Sequence, residues 1–324
     1  MSVEANVNST AGEGMAPDYD YFSLNHLQSV QGRNAWYYNQ RFLGKGGNGT
    51  AFLVTCSSGL FRGLQMVLKV FHRISDDSRR IAFLAEIERL RTFSHPAITR
   101  MYDEGVFTYE GREYPFAVVE YASVTARQLL VERRVDRLRA VRIGMNCLSA
   151  LHYIHTDKVI HRDIKPENIL IGDVSAKLAD FGLAKELEDS GQGVCGPGEI
   201  NDVMTHSQWP GMPFRYRTPE LVERARTTTT PVDAASDIYQ MGTVLYELLT
   251  WWNPQKRPTK ITDPIVLDIR DIRGKQGPSL TSLIRLMMKD DPADRPTAER
   301  CLGMLEVVHK DLCESICHVT GNLV

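Results

Sequence analysis

The chain has 324 residues, of which 43% are hydrophobic and 24% are charged. This composition excludes a disordered or collagen-like protein, and the length corresponds to about two domains or lobes. The 38 lysines and arginines nearly balance the 40 aspartates and glutamates, so the formal net charge is -2. The balance gives no reason to expect nucleic acid as a partner.

The six cysteines are dispersed and form no C-x-x-C pair, so the sequence suggests neither a zinc site nor a disulfide framework. No stretch is apolar enough to span a bilayer, and the N-terminus lacks the basic and apolar regions of a signal peptide. We therefore expect a soluble intracellular protein, cytoplasmic or nuclear, without membrane insertion.

The predicted elements begin after a polar segment at residues 1–33, which shows no periodicity and predicts a flexible tail. Its aromatic cluster Tyr19, Tyr21 and Phe22 leaves open a docking segment. From Trp36 onwards, short apolar runs broken by glycine predict a meander of antiparallel strands. Runs near residues 98–107 and 114–120 bring the predicted strands to five.

One helix is predicted among these strands, capped by Asp76 or Asp77 and ended by His95-Pro96. Four apolar residues recur in it at helical spacing, which predicts a buried face. They are Ile81, Leu84, Ile87 and Leu90.

Beyond residue 121 the pattern becomes mainly helical, with amphipathic stretches at 136–156, 236–250, 279–290 and 296–314. Strands followed by helices predict an α+β protein of two lobes. We assign residues 34–120 to a small β-rich N-lobe with one main helix and 121–312 to a larger helical C-lobe. Residues 313–324 are predicted to form a short C-terminal tail.

The first chemical motif is GKGGNG at residues 44–49. Its glycines would let backbone amides approach a phosphate closely. Residues 50–56 look like a strand, whereas a dinucleotide-binding turn should open a helix. The pattern therefore favours a hairpin loop over a nucleotide, with a glycine-rich turn that binds no ligand as the alternative.

A second candidate is Lys69, a lysine within the apolar run VLKV. A lysine among apolar neighbours needs a counter-charge or exposure to water. Glu86 on the predicted helix could supply that charge. An ordinary lysine on an edge strand is the alternative.

The most informative segment is VIHRDIKPENIL, followed after a short hairpin by AKLADFGLAK. Asp163, Lys165, Asn168 and Asp180 lie within 18 residues of chain and are bordered by apolar strand residues. Neighbouring desolvated carboxylates would repel each other without a cation or an anionic ligand. Mg²⁺ with a triphosphate supplies both, because oxygen ligands from Asp and Asn suit a hard cation.

Together these motifs closely resemble the eukaryotic protein kinase family over residues 36–312. The resemblance implies the two-lobed kinase fold, ATP and Mg²⁺ as cofactors, and transfer of the γ-phosphate to serine or threonine hydroxyls of protein substrates. The resemblance implies that Asp163 accepts the substrate proton and that Lys165 neutralises the γ-phosphate. It implies that Lys69 holds the α- and β-phosphates while pairing with Glu86. Asn168 and Asp180 are implied to bind the metal.

The resemblance also implies a nucleotide pocket. Its residues are Leu43, Gly44, Lys45, Gly46, Gly47, Asn48, Gly49, Ala51, Val67, Lys69, Val119, Glu120, Ala122 and Leu170. Ala51 and Val67 exchange the valine and alanine usual in the family, which roughly conserves volume, so we expect ATP to fit. Val119 occupies the gatekeeper position.

Further positions agree with the family. Thr218-Pro219-Glu220 stands where Ala-Pro-Glu is usual, Arg295 matches the partner of that glutamate, and Asp237 matches the residue that braces the catalytic loop. The residues that match the apolar spine of the family are Leu90, Met101, His161 and Phe181.

Substrate specificity rests on two conflicting features. The loop MPFRYRTPE lacks the usual threonine of serine/threonine kinases, and its proline and basic residue resemble tyrosine kinases. Lys165, two residues after Asp163, follows the serine/threonine pattern, which we favour over tyrosine or dual specificity. A nucleotide-binding pseudokinase scaffold and a small-molecule kinase are further alternatives, disfavoured by the complete catalytic set and by Thr218-Pro219-Glu220.

Arg162 precedes Asp163, and kinases with that arginine commonly need a phosphate on the activation loop. Thr205 and Ser207 are the candidates for an upstream activating kinase, with Ser190 behind them. A loop that never needs phosphorylation is the alternative, because hydroxyl side chains are common in loops. An arginine cluster near residues 127–142 could dock acidic partners, although a solvated helix face is the alternative. Its members are Arg127, Arg133, Arg134, Arg137, Arg139 and Arg142.

Overall fold

The computed structural model describes residues 3–4, 27–45, 49–71, 77–109, 111–172, 175–181, 185–186, 214–227, 230–260 and 262–321. The described residues fall into two compact units. The first comes from Met1–Ser94 and Thr99–Tyr121, and the second from His95–Ile98 and Ala122–Val324. Strands dominate the first unit and helices the second, in agreement with the predicted α+β class.

The first unit is built on one sheet with the strand order β1-β6-β7-β5-β4-β3-β2. All neighbours are antiparallel except β1 and β6. The strands are β1 (Val3–Glu4), β2 (Ser29–Gln31), β3 (Trp36–Lys45), β4 (Gly49–Cys56), β5 (Gln65–Phe71), β6 (Met101–Tyr109) and β7 (Arg112–Glu120). This sheet has two more strands than the five predicted.

The sheet buries one face completely at its centre. Phe52, Leu68 and Val118 stand on adjacent strands β4, β5 and β7 and share that face. The intervening residues of the same strands point to the opposite face, because side chains alternate along a strand. That second face carries Lys69, so the sheet separates the main core of the unit from the predicted nucleotide residues.

The predicted flexible tail is too long, because its last residues belong to the sheet. Leu27 and Val30 are 3% and 1% exposed and pack in the main core of the first unit. Buried Asp103 on β6 accepts hydrogen bonds from the backbone amides of Arg33 and Asn34 and from the Tyr37 hydroxyl. These contacts over about 70 positions of chain fix the β2–β3 hairpin, and local polarity does not reveal them. Tyr19, Tyr21 and Phe22 lie outside the described residues.

Helix α1 (Asp77–Thr92) buries a different face from the predicted one. Ile87 and Leu90 are buried as expected, but Ile81 and Leu84 are 67% and 45% exposed. Phe83 is 1% exposed and stacks on Phe71. Since each residue turns the helix by about 100°, Ile81 points roughly away from Phe83, and only one of them can face the sheet.

The second unit is mainly helical. Its helices are α2 (Ala126–Val131), α3 (Arg137–Thr156), α4 (Pro219–Thr227), α5 (Ala234–Thr250), α6 (Gly277–Met287) and α7 (Ala298–Gly321). Helix α5 is buried continuously from Ser236 to Leu248, so it forms the centre of this unit. Helix α3 packs against both α5 and α7. Within the described residues no helix has the length and apolar character to cross a bilayer.

Two short ribbons complete the second unit. One pairs β10 (Ile169–Ile171) with both β8 (Val124–Thr125) and β11 (Ala176–Leu178), and the other pairs β9 (Val159–Ile160) with β12 (Lys185–Glu186). Along the chain, β9 precedes and β10 follows residues 161–168, which carry the predicted catalytic residues of this unit.

The predicted division differs from the observed units in two places. The loop His95–Ile98 falls within the predicted N-lobe but belongs to the second unit, because Ala97 accepts a hydrogen bond from Leu178 and His95 contacts Ser149. The last helix extends to Gly321, so residues 313–321 continue α7 rather than forming a separate tail.

Candidate active site

The first unit pairs the two charged residues predicted on β5 and α1. Lys69 Nζ lies 2.7 Å from Glu86 Oε1, and the two side chains are 25% and 5% exposed. Strand β5 runs between β4 and β7, so Lys69 stands on an interior strand and not on an edge. A largely buried carboxylate needs a cationic partner, and Lys69 supplies it.

The glycine motif lies at a β-hairpin. Gly44 pairs with Ala51 and Lys45 with Thr50 across β3 and β4, while Gly46, Gly47 and Asn48 lie outside the described residues. A side chain at Gly49 would put its Cβ 2.7 Å from the Val70 carbonyl oxygen. Glycine is therefore required there by close backbone approach. The observed context is a strand-to-strand connection, as expected for a loop over a nucleotide.

The predicted adenine residues of the first unit share the face of the sheet that carries Lys69. Ala51 is opposite Lys69, and Val67 is opposite both Leu53 and Val119. Ala51, Val67 and Val119 are each partly exposed on this face. Leu43 and Glu120 also belong to the first unit, whereas Ala122 and Leu170 belong to the second.

In the second unit, α5 holds the backbone that precedes Asp163. The fully buried carboxylate of Asp237 accepts hydrogen bonds from the amides of His161 at 2.8 Å and Arg162 at 2.7 Å, and it lies 2.8 Å from His155 Nε2. Burial opposes ionisation of Asp237, but the His155 contact and these hydrogen bonds lower its pKa overall. Arg162 has φ 69°, a strained conformation that these contacts maintain.

Gln240, three residues after Asp237, is a positioning residue that sequence reasoning missed. Its Oε1 accepts a 2.9 Å hydrogen bond from the Ile164 amide, and its Nε2 donates to the carbonyls of Arg162 and Tyr216, both at 3.1 Å. The i, i+3 spacing puts it on the same face of α5 as Asp237. That spacing was the available signal, but an amide side chain in a helix is common.

Three of the predicted catalytic and metal residues meet around one carboxylate. Asp163 Oδ2 lies 2.6 Å from Lys165 Nζ and accepts a 2.9 Å hydrogen bond from Asn168 Nδ2. Asn168 also donates to the Asp163 carbonyl at 2.9 Å, which closes the turn between them. Lys165 and Asn168 are buried, while the Asp163 side chain is 21% exposed. Asp163 is thus oriented from two sides and still accessible.

Asp180 lies at the same end of the β10–β11 ribbon as Asn168. Ile169 pairs with Leu178, and the Ala179 amide donates to the Asn168 carbonyl at 2.9 Å. Asp180 is exposed and has φ 64°, which is uncommon for a non-glycine residue. The next residue, Phe181, is buried with its ring centroid 4.6 Å from that of His161. Buried Phe181 therefore fixes the backbone next to Asp180, whose carboxylate is exposed.

The donor chemistry at this end of the ribbon fits a hard divalent cation. The side-chain amide oxygen of Asn168 and the carboxylate of Asp180 would be oxygen ligands. Mg²⁺ commonly takes one or two protein carboxylates and completes its shell with phosphate and water. Among the described residues there is no group of three or more His, Cys, Asp or Glu side chains arranged to hold a metal. Asn168 and Asp180 fit a metal whose remaining ligands are phosphate and water.

A buried ion pair anchors the start of α4. Arg295 Nη1 and Nη2 each lie 2.8 Å from one oxygen of Glu220, and their side chains are 0% and 4% exposed. Ser236 also donates to Glu220. Burial would raise the pKa of Glu220, but the hydrogen bonds and charge of Arg295 lower it overall. This is the pairing that the sequence resemblance implied.

The predicted activation sites Ser190, Thr205 and Ser207 lie outside the described residues, as do Met212 and Pro213. The spine residues Leu90 and Met101 lie in the first unit, where Met101 packs beside Ile87. His161 and Phe181 form the contact in the second unit.

The arginines of the predicted cluster have different partners. Arg127 is held in an ion-pair network, while Arg134 pairs with Glu132 at 2.9 Å and Arg142 contacts His309 at 3.2 Å. The interpretation of a single solvated face is therefore wrong for Arg127.

A β-rich unit with a lysine–glutamate pair and a helical unit with an Asp-Lys-Asn cluster define the class of two-lobed phosphotransferases. The protein kinase domain model matches residues 37–305. The chain belongs to the protein kinase family.

Several bacterial proteins are similar to this chain. It is 34% identical over 178 residues to the serine/threonine-protein kinase PknB of Mycobacterium tuberculosis, covering 54% of this chain and 26% of that protein. It is 32% identical over 210 residues to a probable serine/threonine-protein kinase of Streptomyces coelicolor, covering 63% and 28% of the two chains. A similarly named protein of Corynebacterium efficiens is 29% identical over 291 residues, covering 83% and 40%. The matched regions thus span well under half of these relatives.

Proposed function

We propose that this chain is an ATP-dependent protein kinase that transfers the γ-phosphate to serine or threonine hydroxyls of proteins. The observation that carries the proposal is the cluster of Asp163, Lys165 and Asn168. It presents an oriented, partly exposed carboxylate with a lysine 2.6 Å away. Phosphoryl transfer needs positioning and charge neutralisation more than covalent catalysis, and this cluster supplies both.

In the proposed reaction, Asp163 accepts the proton of the substrate hydroxyl while the oxygen forms a bond to the γ-phosphorus. The bond between that phosphorus and the β,γ-bridging oxygen breaks, which leaves ADP. Lys165 offsets negative charge on the transferred group, and Lys69, oriented by Glu86, offsets charge on the remaining phosphates. Mg²⁺, held by oxygens of Asn168 and Asp180, would neutralise further phosphate charge.

Serine/threonine specificity is supported by Lys165 and by the similarity to bacterial proteins named as serine/threonine-protein kinases. Tyrosine or dual specificity is the second candidate, because the MPFRYRTPE loop lacks the threonine expected of serine/threonine kinases. We further propose that an upstream kinase acts at Thr205 or Ser207, since Arg162 next to Asp163 offers a charge for a phosphate to neutralise.

Transfer of labelled phosphate from Mg-ATP to a panel of proteins and peptides tests the proposal, with phosphoamino-acid analysis of the products. We expect phosphoserine or phosphothreonine from the wild type and a loss of at least about 100-fold for Asp163→Asn. Asp271→Asn, at an exposed aspartate of the same unit, is the matched control and should retain activity. Equal labelling by wild type and Asp163→Asn would contradict the proposal, and phosphotyrosine alone would favour the second candidate.

A further inference from the structure

Arg127 lies at the second position of α2, next to the segment that contains the Asp163 cluster. Its Nε is 2.8 Å from Glu167 Oε1, its Nη1 is 2.8 Å from Glu247 Oε1, and its Nη2 donates to the Tyr216 hydroxyl at 2.6 Å. One guanidinium group therefore joins three separate elements. The planar fork of arginine suits this arrangement, which the single ammonium of lysine would not reproduce.

The partners of Arg127 lie in two short turns and in helix α5. Glu167 lies in the turn Pro166–Asn168, between Lys165 and Asn168. Tyr216 ends the turn Phe214–Tyr216, directly before Arg217 and Thr218. The Tyr216 hydroxyl donates in turn to Glu247 of α5, which also accepts a 3.3 Å hydrogen bond from Asn253. Arg127 thereby connects the turn Pro166–Asn168 with the turn Phe214–Tyr216.

The charges explain why this arginine is needed. The network contains two carboxylates, and the Glu247 side chain is only 9% exposed while that of Glu167 is 40% exposed. Without Arg127 these like charges would face each other, and the more buried one would lose its ion partner. Burial opposes the charge on Arg127, but Tyr216, Glu247 and Glu167 raise its pKa overall. The pKa of Tyr216 is also raised, mainly by burial, so its hydroxyl remains a donor.

We propose that Arg127 is a positioning residue for protein substrates, which couples the turn Phe214–Tyr216 to the catalytic turn Pro166–Asn168. Arg127 also forms ion pairs with Glu167 and Glu247, so these carboxylates do not attract a basic side chain of the substrate. Glu167 lies four positions after Asp163, in the turn whose last residue, Asn168, donates a hydrogen bond to Asp163. The inference therefore deepens the proposed function and rests on it for the substrate readout.

The first test compares Arg127→Ala with Arg134→Ala, which removes an exposed arginine paired with Glu132. We expect Arg127→Ala to raise KM for a peptide substrate by about tenfold, equivalent to ~1.4 kcal/mol, with KM for ATP nearly unchanged. Arg134→Ala should leave both constants unchanged. An equal rise in both constants, or no change in KM for peptide, would overturn the inference.

Chemical rescue separates positioning from a general loss of stability. Millimolar guanidinium chloride should restore peptide KM in Arg127→Ala, while sodium chloride at equal ionic strength should not. Peptides with an arginine beside the target hydroxyl should be favoured by Arg127→Ala but not by the wild type. Absence of both effects would mean that the carboxylate pair has no role in substrate selection.

Hydrogen exchange tests the coupling without any phosphate transfer. The amides of Glu167 and Asn168 and of residues 214–218 should exchange at least about tenfold faster in Arg127→Ala, and guanidinium should restore their protection. Unchanged protection in both segments would overturn the inference even if the kinase is active. Faster exchange in a chain without kinase activity would support the coupling while refuting the proposed function.

Discussion

Individual buried carboxylates organise the second unit at the residue scale. Asp237 holds the backbone before Asp163, and Glu220 holds the start of α4 through Arg295. An unpaired buried charge would be costly, so each carboxylate depends on its partners. Asp237 and Glu220 therefore act mainly on backbone geometry.

Replacing Glu220 by glutamine should destabilise the protein by about 3–5 kcal/mol near neutral pH, because Arg295 would remain buried without its counter-charge. The pKa of Glu220 is lowered from its ordinary value of 4.5, so its ionisation stabilises the fold above that pH. This contribution is lost as pH falls through the lowered folded-state pKa. The stability gap between wild type and Glu220→Gln should therefore narrow on acidification below about 4.5.

Urea unfolding at several pH values measures this gap. Asp271→Asn, at an exposed ion pair, serves as the control and should remain within about 0.5 kcal/mol of the wild type. A gap that widens with acidification would contradict the assigned ion pair.

The β2–β3 hairpin shows, at the element scale, how one buried side chain can recruit a polar segment into a sheet. Asp103 accepts a further hydrogen bond from Asn34 Nδ2 at 3.2 Å, in addition to those from the backbone. A Cβ at Gly32 would lie 2.3 Å from Asp103 Oδ2, so the turn also depends on glycine. The hairpin is thus an integral part of the first unit.

Leu27→Ala should lower the free energy of unfolding by about 2–5 kcal/mol, because it opens a cavity in the core of the first unit. Leu60→Ala is the matched control, since Leu60 is 91% exposed and Leu27 only 3%. Urea denaturation followed by circular dichroism measures both variants. Equal stabilities would mean that residues 27–33 behave as the tail predicted from composition.

At the scale of the whole molecule, the predicted site residues are divided between the two compact units. Lys69 and Glu86 stand in the first unit, and Asp163, Asn168 and Asp180 in the second. Neither unit alone carries the complete predicted set.

A non-hydrolysable ATP analogue with Mg²⁺ should raise the thermal unfolding midpoint, by an amount that corresponds to about 2.7 kcal/mol at 100 times Kd. The effect should shrink with EDTA, and Asp180→Asn should lose the metal-dependent part. Lys69→Met, a change in the first unit, should weaken binding of the ATP analogue. Thermal shift measurements with and without metal test this prediction, and an unshifted midpoint for the wild type would refute a nucleotide site around Ala51 and Val67.

The sequence by itself determined the family, because the types and spacing of Lys69, Asp163, Asn168 and Asp180 match its motifs. It also predicted the α+β class and most helices, since periodicity is a local property. The individual roles of the site residues remain predictions that the proposed variants test.

Only the tertiary structure decided which apolar face of α1 is buried, that residues 27–33 belong to the first unit and what Arg127 contacts. Ile81 and Phe83 are both good core residues, and only packing against Phe71 selects between them. Arg127 meets Glu247 across 120 positions of the chain. Such contacts depend on how distant segments come together, which local sequence patterns do not encode.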